Sequence, residues 1–175
     1  KDELLEAFWD CVKNGNLILR EEVSKFEDNL ANYVGTKYAI GVKSGTDALF
    51  RSLKALNIGQ GDEVITVSHT FIATIQAIVH CGATPILIDV GQDELMDVSQ
   101  IEAVITPRTK AIIPVHFHGK VCDMATIHAL ARKHGLFVVE DACQALGSSY
   151  SSFSHTWNFD GKAGSFGDLG CFSFN

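Results

Sequence analysis

The chain has no excess of basic residues, no apolar run near membrane-spanning length, no Cys-x-x-Cys pair and no internal repeat. Each absence narrows its function. A net charge of −7, from 14 Lys and Arg against 21 Asp and Glu, argues against a nucleic-acid surface and favours solubility. A bilayer helix needs about 20 apolar residues, so no membrane span is expected, and no signal peptide opens the chain. Cysteines 11, 81, 122, 143 and 171 form an odd, unpaired set. They point to reduced thiols in a cytoplasmic protein, without a disulfide frame or zinc site. Neither G-x-G-x-x-G nor Gly-Lys-Ser/Thr occurs, which weakens dinucleotide and nucleoside-triphosphate readings.

What is present suits one folded domain. The 175 residues are 46% hydrophobic and 20% charged, and a chain of this length buries roughly 70% of its unfolded surface. Short Val/Ile-rich runs predict strands at Tyr38–Val42, Glu63–Val67, Pro85–Asp89, Ala111–Val115, Leu136–Glu140 and Gly170–Phe174. Amphipathic spacing predicts helices at Leu4–Lys13, Glu21–Val34, Thr46–Leu56, Phe71–His80, Ser99–Val104 and Met124–His134. Gly35, Gly82 and Gly135 stand where a left-handed cap is wanted, Asp123 where an N-cap is wanted, and Thr106-Pro107 where a helix should stop. The stretch Ser148–Ser165, with Trp157, reads as an excursion or hairpin between strands. Alternating β and α elements imply an α/β fold of three layers: a mostly parallel sheet with helices on both faces, and ligands beyond the carboxyl ends of its strands.

Four segments could carry chemistry. In Gly41-Val42-Lys43-Ser44-Gly45-Thr46-Asp47, a strand runs through a glycine turn into a helix. This is either a phosphate seat of free N–H groups or an ordinary capped βα turn. In Ser68-His69-Thr70-Phe71, the aromatic could stack on a flat heterocycle or simply begin the next helix core. His69 lacks the partners of a metal site and reads as a capping or loop histidine. The pair His116 and His118 lacks them too, and a substrate-facing or structural role is expected for it, with both on one side of an extended segment. The third segment, Phe137-Val138-Val139-Glu140-Asp141-Ala142-Cys143-Gln144, ends an apolar strand in an acid. A buried carboxylate needs a cation or a raised pKa. Asp141 either holds the ring nitrogen of pyridoxal phosphate protonated, with Gln144 reaching the phenolic oxygen, or caps a turn or meets a Lys or Arg. The fourth, Gly164-Ser165-Phe166-Gly167-Asp168 leading to Ser173, is either a glycine-rich turn or one more piece of a phosphate site.

In this order, the segments resemble the DegT/DnrJ/EryC1/StrS family of pyridoxal-phosphate sugar aminotransferases, of fold type I. The resemblance also rests on Glu22-Val23-Ser24-Lys25-Phe26-Glu27, Gly61-Asp62-Glu63-Val64-Ile65 and Thr106-Pro107-Arg108-Thr109-Lys110. It implies an amino-terminal helical segment (1–36) followed by the cofactor-binding large domain (37–175). It implies pyridoxal 5'-phosphate as cofactor, with Gly45, Thr46, Asp47 and Ser173 at the phosphate, Phe71 against the ring, Asp141 on the ring nitrogen and Gln144 on the phenolic oxygen. The implied reaction moves an amino group from glutamate or glutamine to a nucleotide-linked keto sugar in a homodimer. The family's Schiff-base lysine, in a Ser-Phe-x-x-x-Lys pattern, would fall three positions beyond Asn175, so this stretch alone is expected to be inactive. Departures from the pattern are Arg20 for Gly, His118-Gly119-Lys120 for Tyr-Gly-Gln, and a long insertion at Ser151–Phe159. Rival readings are a sugar dehydratase with histidine at the lysine position, a non-catalytic regulatory relative, and a Rossmann dehydrogenase.

Overall fold

In the computed structural model, which describes residues 2–13, 15, 18, 20–153 and 158–174, the chain divides into two compact units, Lys1–Gly41 and Val42–Asn175. The first holds helices α1 (Asp2–Lys13) and α2 (Glu21–Val34). Helix α2 ends where Gly35 takes the left-handed conformation (φ 91°) and donates its N–H to Ala31. Arg20 precedes α2 and pairs with Glu22. No strand forms at 38–42, contrary to expectation. A strand needs a neighbour, whereas here the polar groups turn to side chains: Thr36 Oγ1 donates to the Tyr38 carbonyl and the Gly41 N–H to Glu27. Tyr38 and Ile40 stay exposed.

The second unit runs α3 (Gly45–Ala55), β1 (Glu63–Val67), α4 (Ile72–Cys81), β2 (Thr84–Ile88), β3 (Thr109–Ile112), α5 (Met124–His134), β4 (Phe137–Asp141), β5 (Ser149–Phe153), β6 (Asn158–Lys162) and β7 (Leu169–Cys171). Strands β2-β1-β3-β4-β7 make one parallel sheet in that order. The two-residue period of a strand sorts its side chains. Val64, Ala111, Ile113, Val139 and Cys171 pack with Leu49 and Leu53 of α3 and Ala77 and Ile78 of α4. Their neighbours Ile65, Ile112 and Val138 pack with Met124, Ile127 and Ala131 of α5. The inner strands are therefore apolar on both faces, as in a covered parallel sheet.

Gly82 and Gly135 close α4 and α5 in the left-handed region, and Asp123 caps α5 by accepting the Thr126 N–H at 3.2 Å. The helix expected at Ser99–Val104 is instead two 3₁₀ turns, Val98–Gln100 and Glu102–Val104. Asp97 accepts both the N–H and hydroxyl of Ser99, a local bond that competes with a continuous helix. The last strand stops at Cys171 rather than Phe174. β5 and β6 form the expected hairpin; Trp157 and part of the proposed insertion lie outside the described residues.

Candidate cofactor site

Parallel pairing puts the carboxyl ends of β1, β3, β4 and β7 along one edge of the sheet, and the strand order reverses between β1 and β3, where such folds open a crevice. Helix α3 adds its amino end there. Ser44, in extended conformation (φ −165°), caps it by accepting the Asp47 N–H at 3.2 Å. The Asp47 carboxylate accepts the Lys43 N–H and pairs with Arg51 at 2.8 Å. The Arg51 guanidinium holds the Asp47 carboxyl below its usual range. Asp47 thus fixes the turn, and the N–H groups of Gly45 and Thr46 are left without an acceptor among the described residues.

Gly45 is buried for a steric reason. A Cβ there would lie 2.9 Å from both Cys143 Sγ and Ser173 Cβ, and 3.4 Å from Ser173 Oγ. The amino end of α3, the hydroxyl after β7 and the turn after β4 are therefore in van der Waals contact. Because β7 ends early, Ser173 sits past the ladder and against this helix end.

Asp141 ends β4 and is 6% exposed. Its Oδ2 accepts the Thr74 hydroxyl at 2.7 Å and its Oδ1 the Cys143 N–H at 3.3 Å. The cap reading is met in part by the Cys143 bond; the Lys or Arg reading is not, since no cation pairs with Asp141 among the described residues. A carboxylate has about four acceptor positions, so two donors leave it room for another.

Phe71 caps α4 and is 69% exposed at the carboxyl end of β1, so it is not a core residue of that helix. Gln144 Oε1 accepts the His118 N–H at 3.0 Å. That bond identifies the oxygen and leaves the amide NH₂ as the free donor. His118 takes positive φ (52°) and stacks on Phe117, which also meets His69, each with ring centres 4.1 Å apart. His116 and His118 do not share a side. The chain turns at Phe117–Gly119, burying His116 and exposing His118.

Sequence reasoning missed the partners of Glu140. This fully buried acid accepts His116 Nε2–H at 2.8 Å and the N–H groups of Gly164, Phe166 and Gly167 at 2.8, 2.7 and 2.6 Å. His116 Nδ1 accepts the Cys122 N–H, so the proton resides on Nε2 and the ring is neutral. The available signal was the pleat: two adjacent acids at a strand end face opposite sides, so each needs its own partners. Burial pushes the Cys143 thiol up and the Cys171 thiol up to about 12, which removes both as nucleophiles. Among the described residues there is no cluster able to hold a metal ion and no helix long and apolar enough to cross a membrane.

The DegT/DnrJ/EryC1/StrS aminotransferase family matches residues 1–175. The chain is 47% identical over 175 residues to the UDP-N-acetyl-3-dehydro-alpha-D-glucosamine 3-aminotransferase of Acidithiobacillus ferrooxidans, covering 99% of this chain and 45% of that protein. A DegT DnrJ EryC1 StrS aminotransferase structure from Brucella abortus superposes with a TM-score of 0.90 at 36% identity, over 99% of this chain and 46% of that one. The ntda structure from Bacillus subtilis, with bound cofactor PMP, gives a TM-score of 0.82 at 38% identity, over 83% of this chain and 34% of that one. The chain thus spans less than half the length of each. On the family match and the shared fold-type-I architecture, this chain belongs to the DegT/DnrJ/EryC1/StrS aminotransferase family.

Proposed function

We propose that this chain is the cofactor-holding part of a pyridoxal-phosphate aminotransferase that moves an amino group from glutamate or glutamine to a nucleotide-linked keto sugar. The observation that carries the reading is Asp141: a buried carboxylate, unmatched by a cation among the described residues, at the ligand edge of a parallel sheet. The residues present fit the cofactor. A pyridinium N–H supplies both the charge and the extra donor that Asp141 lacks. The N–H groups of Gly45 and Thr46 at the start of α3, with the Ser173 hydroxyl against them, suit a phosphate, and Asp47 holds that turn in shape. Phe71 offers an exposed ring face, and the Gln144 amide offers a donor for the phenolic oxygen.

Bound there, the cofactor supplies an electron sink for the bond-making and bond-breaking at the amino-acid and sugar carbons. Asp141 keeps the ring nitrogen protonated, which is the charge that makes the sink effective. Gly45, Thr46 and Ser173 anchor the far end, and Phe71 limits ring tilt. The keto-sugar substrate is supported by the nucleotide-sugar name of the Acidithiobacillus relative; the homodimer is our expectation from the resemblance drawn in the sequence. Free cysteines agree with a cytoplasmic setting.

The test is to add pyridoxal phosphate to the full-length protein and record its absorption before and after adding glutamate. A bound-cofactor band that shifts with glutamate is expected. A spectrum identical to free cofactor in both cases would remove the reading.

A further inference from the structure

The hydroxyl of Thr74 is fully buried, and it lies three residues after Phe71 in the first turn of α4. It sits 2.7 Å from Asp141 Oδ2, 2.8 Å from Thr70 Oγ1 and 3.3 Å from the Phe71 carbonyl. A hydroxyl has one proton and two acceptor positions. An ionised carboxylate can only accept, and its contact is the shortest, so the Thr74 proton goes to Asp141. Thr70 must then donate to Thr74. The direction of the chain is fixed: Thr70 to Thr74 to Asp141, with the Cys143 N–H holding the other carboxylate oxygen.

We propose that Thr74, backed by Thr70, is a positioning residue that aims the Asp141 carboxylate at the cofactor's ring nitrogen. This rests on the cofactor reading above. Asp141 can rotate about its side-chain bonds, and no cation among the described residues pairs with it. With a protein donor on each oxygen, and the Cys143 side chain beside it, the plane of the carboxylate is set before the cofactor arrives, which lowers the ordering cost of binding. The same turn of α4 begins with the exposed Phe71, so one helix start couples the ring-stacking face to the group that meets the ring edge. Thr74 acts through Asp141 and touches no reacting atom.

The test measures pyridoxal-phosphate affinity and the bound-cofactor absorption band in full-length wild type, Thr74→Val, Thr74→Ser, Asp141→Asn and Thr74→Val/Asp141→Asn. A charge-assisted bond lost at constant shape predicts about a 10- to 100-fold weaker affinity for Thr74→Val. The band should also shift, and Thr74→Ser, which keeps the hydroxyl, should restore both. The double variant should bind no more weakly than Asp141→Asn alone, because the hydroxyl has lost the charge it orients. Unchanged affinity in Thr74→Val, or full additivity in the double variant, overturns the inference while leaving the cofactor reading intact. Wild type that fails to bind overturns both. If Thr74→Val does not fold, Thr70→Val, which removes the outer donor, should weaken binding about 3-fold, and unchanged binding there overturns the relay.

Discussion

Two carboxylates one residue apart at the end of β4 keep different company. Glu140, on the α5 side, is saturated by four donors: the neutral His116 ring and three N–H groups of the 164–167 turn. Asp141, on the α4 side, has one donor on each oxygen and no cation among the described residues. Burial is nearly the same for both. What differs is completion. A completed acid clips two segments together, here the His116 turn and the 164–167 turn that leads into β7. An acid left incomplete at a ligand edge is held for something that arrives later.

The comparison breaks most sharply at Asp141. Asp141→Asn in the full-length enzyme should lower turnover by roughly 10²–10³, the scale of losing one aimed electrostatic group, with little change in melting temperature. Near-normal turnover in a steady-state assay would remove Asp141 from the chemistry. Glu140→Ala should do the reverse to stability, costing about 3–5 kcal/mol because four donors, two buried and two part-buried, lose their acceptor. Denaturant unfolding reads this directly, and a midpoint unchanged from wild type would deny Glu140 its clip.

A smaller effect is expected where the two halves of the phosphate seat touch. Gly45→Ala drives a methyl into Cys143 Sγ and Ser173 Cβ, and overpacking of this kind costs about 1–3 kcal/mol. Adding Cys143→Ala should recover part of that loss, so the pair is non-additive; additive losses would place the strain elsewhere. The smallest effect lies at the opposite edge of the sheet. Glu63, at the start of β1, is bound by the Thr106 hydroxyl and Arg108, and Thr106, with help from Arg108 and against burial, holds its carboxyl below the usual range. Its folded value is lower than its unfolded value of about 4.3. Glu63 therefore stabilises above that pH and loses its contribution as pH falls through the folded value. Glu63→Gln should flatten the acid limb of a melting-temperature profile and leave the limb above pH 7 unaltered.

Much of this was legible in residue order. The Val/Ile runs, the capping glycines and Asp123 located the sheet and its helices because each signal is local. The 38–42 strand was misplaced because an apolar run does not report whether a neighbour exists to pair with it. The edge location of Gly45, Phe71, Asp141, Gln144 and Ser173 could be expected from their place at strand and helix ends. The contact between Gly45 and Ser173 could not, since it joins residues 128 positions apart. Thr74, and the pairing of His116 with Glu140, were illegible for the same reason: a buried threonine or histidine looks like any other until its partner is known.

The most direct test of the account compares Asp141→Asn with Glu140→Gln in the full-length protein, measuring pyridoxal-phosphate affinity and melting temperature on the same samples. The account predicts that Asp141→Asn loses cofactor affinity and keeps its melting temperature, while Glu140→Gln melts earlier and binds in its folded state with nearly wild-type affinity. Equal losses of both properties in the two variants would contradict the division between a completed acid and an open one.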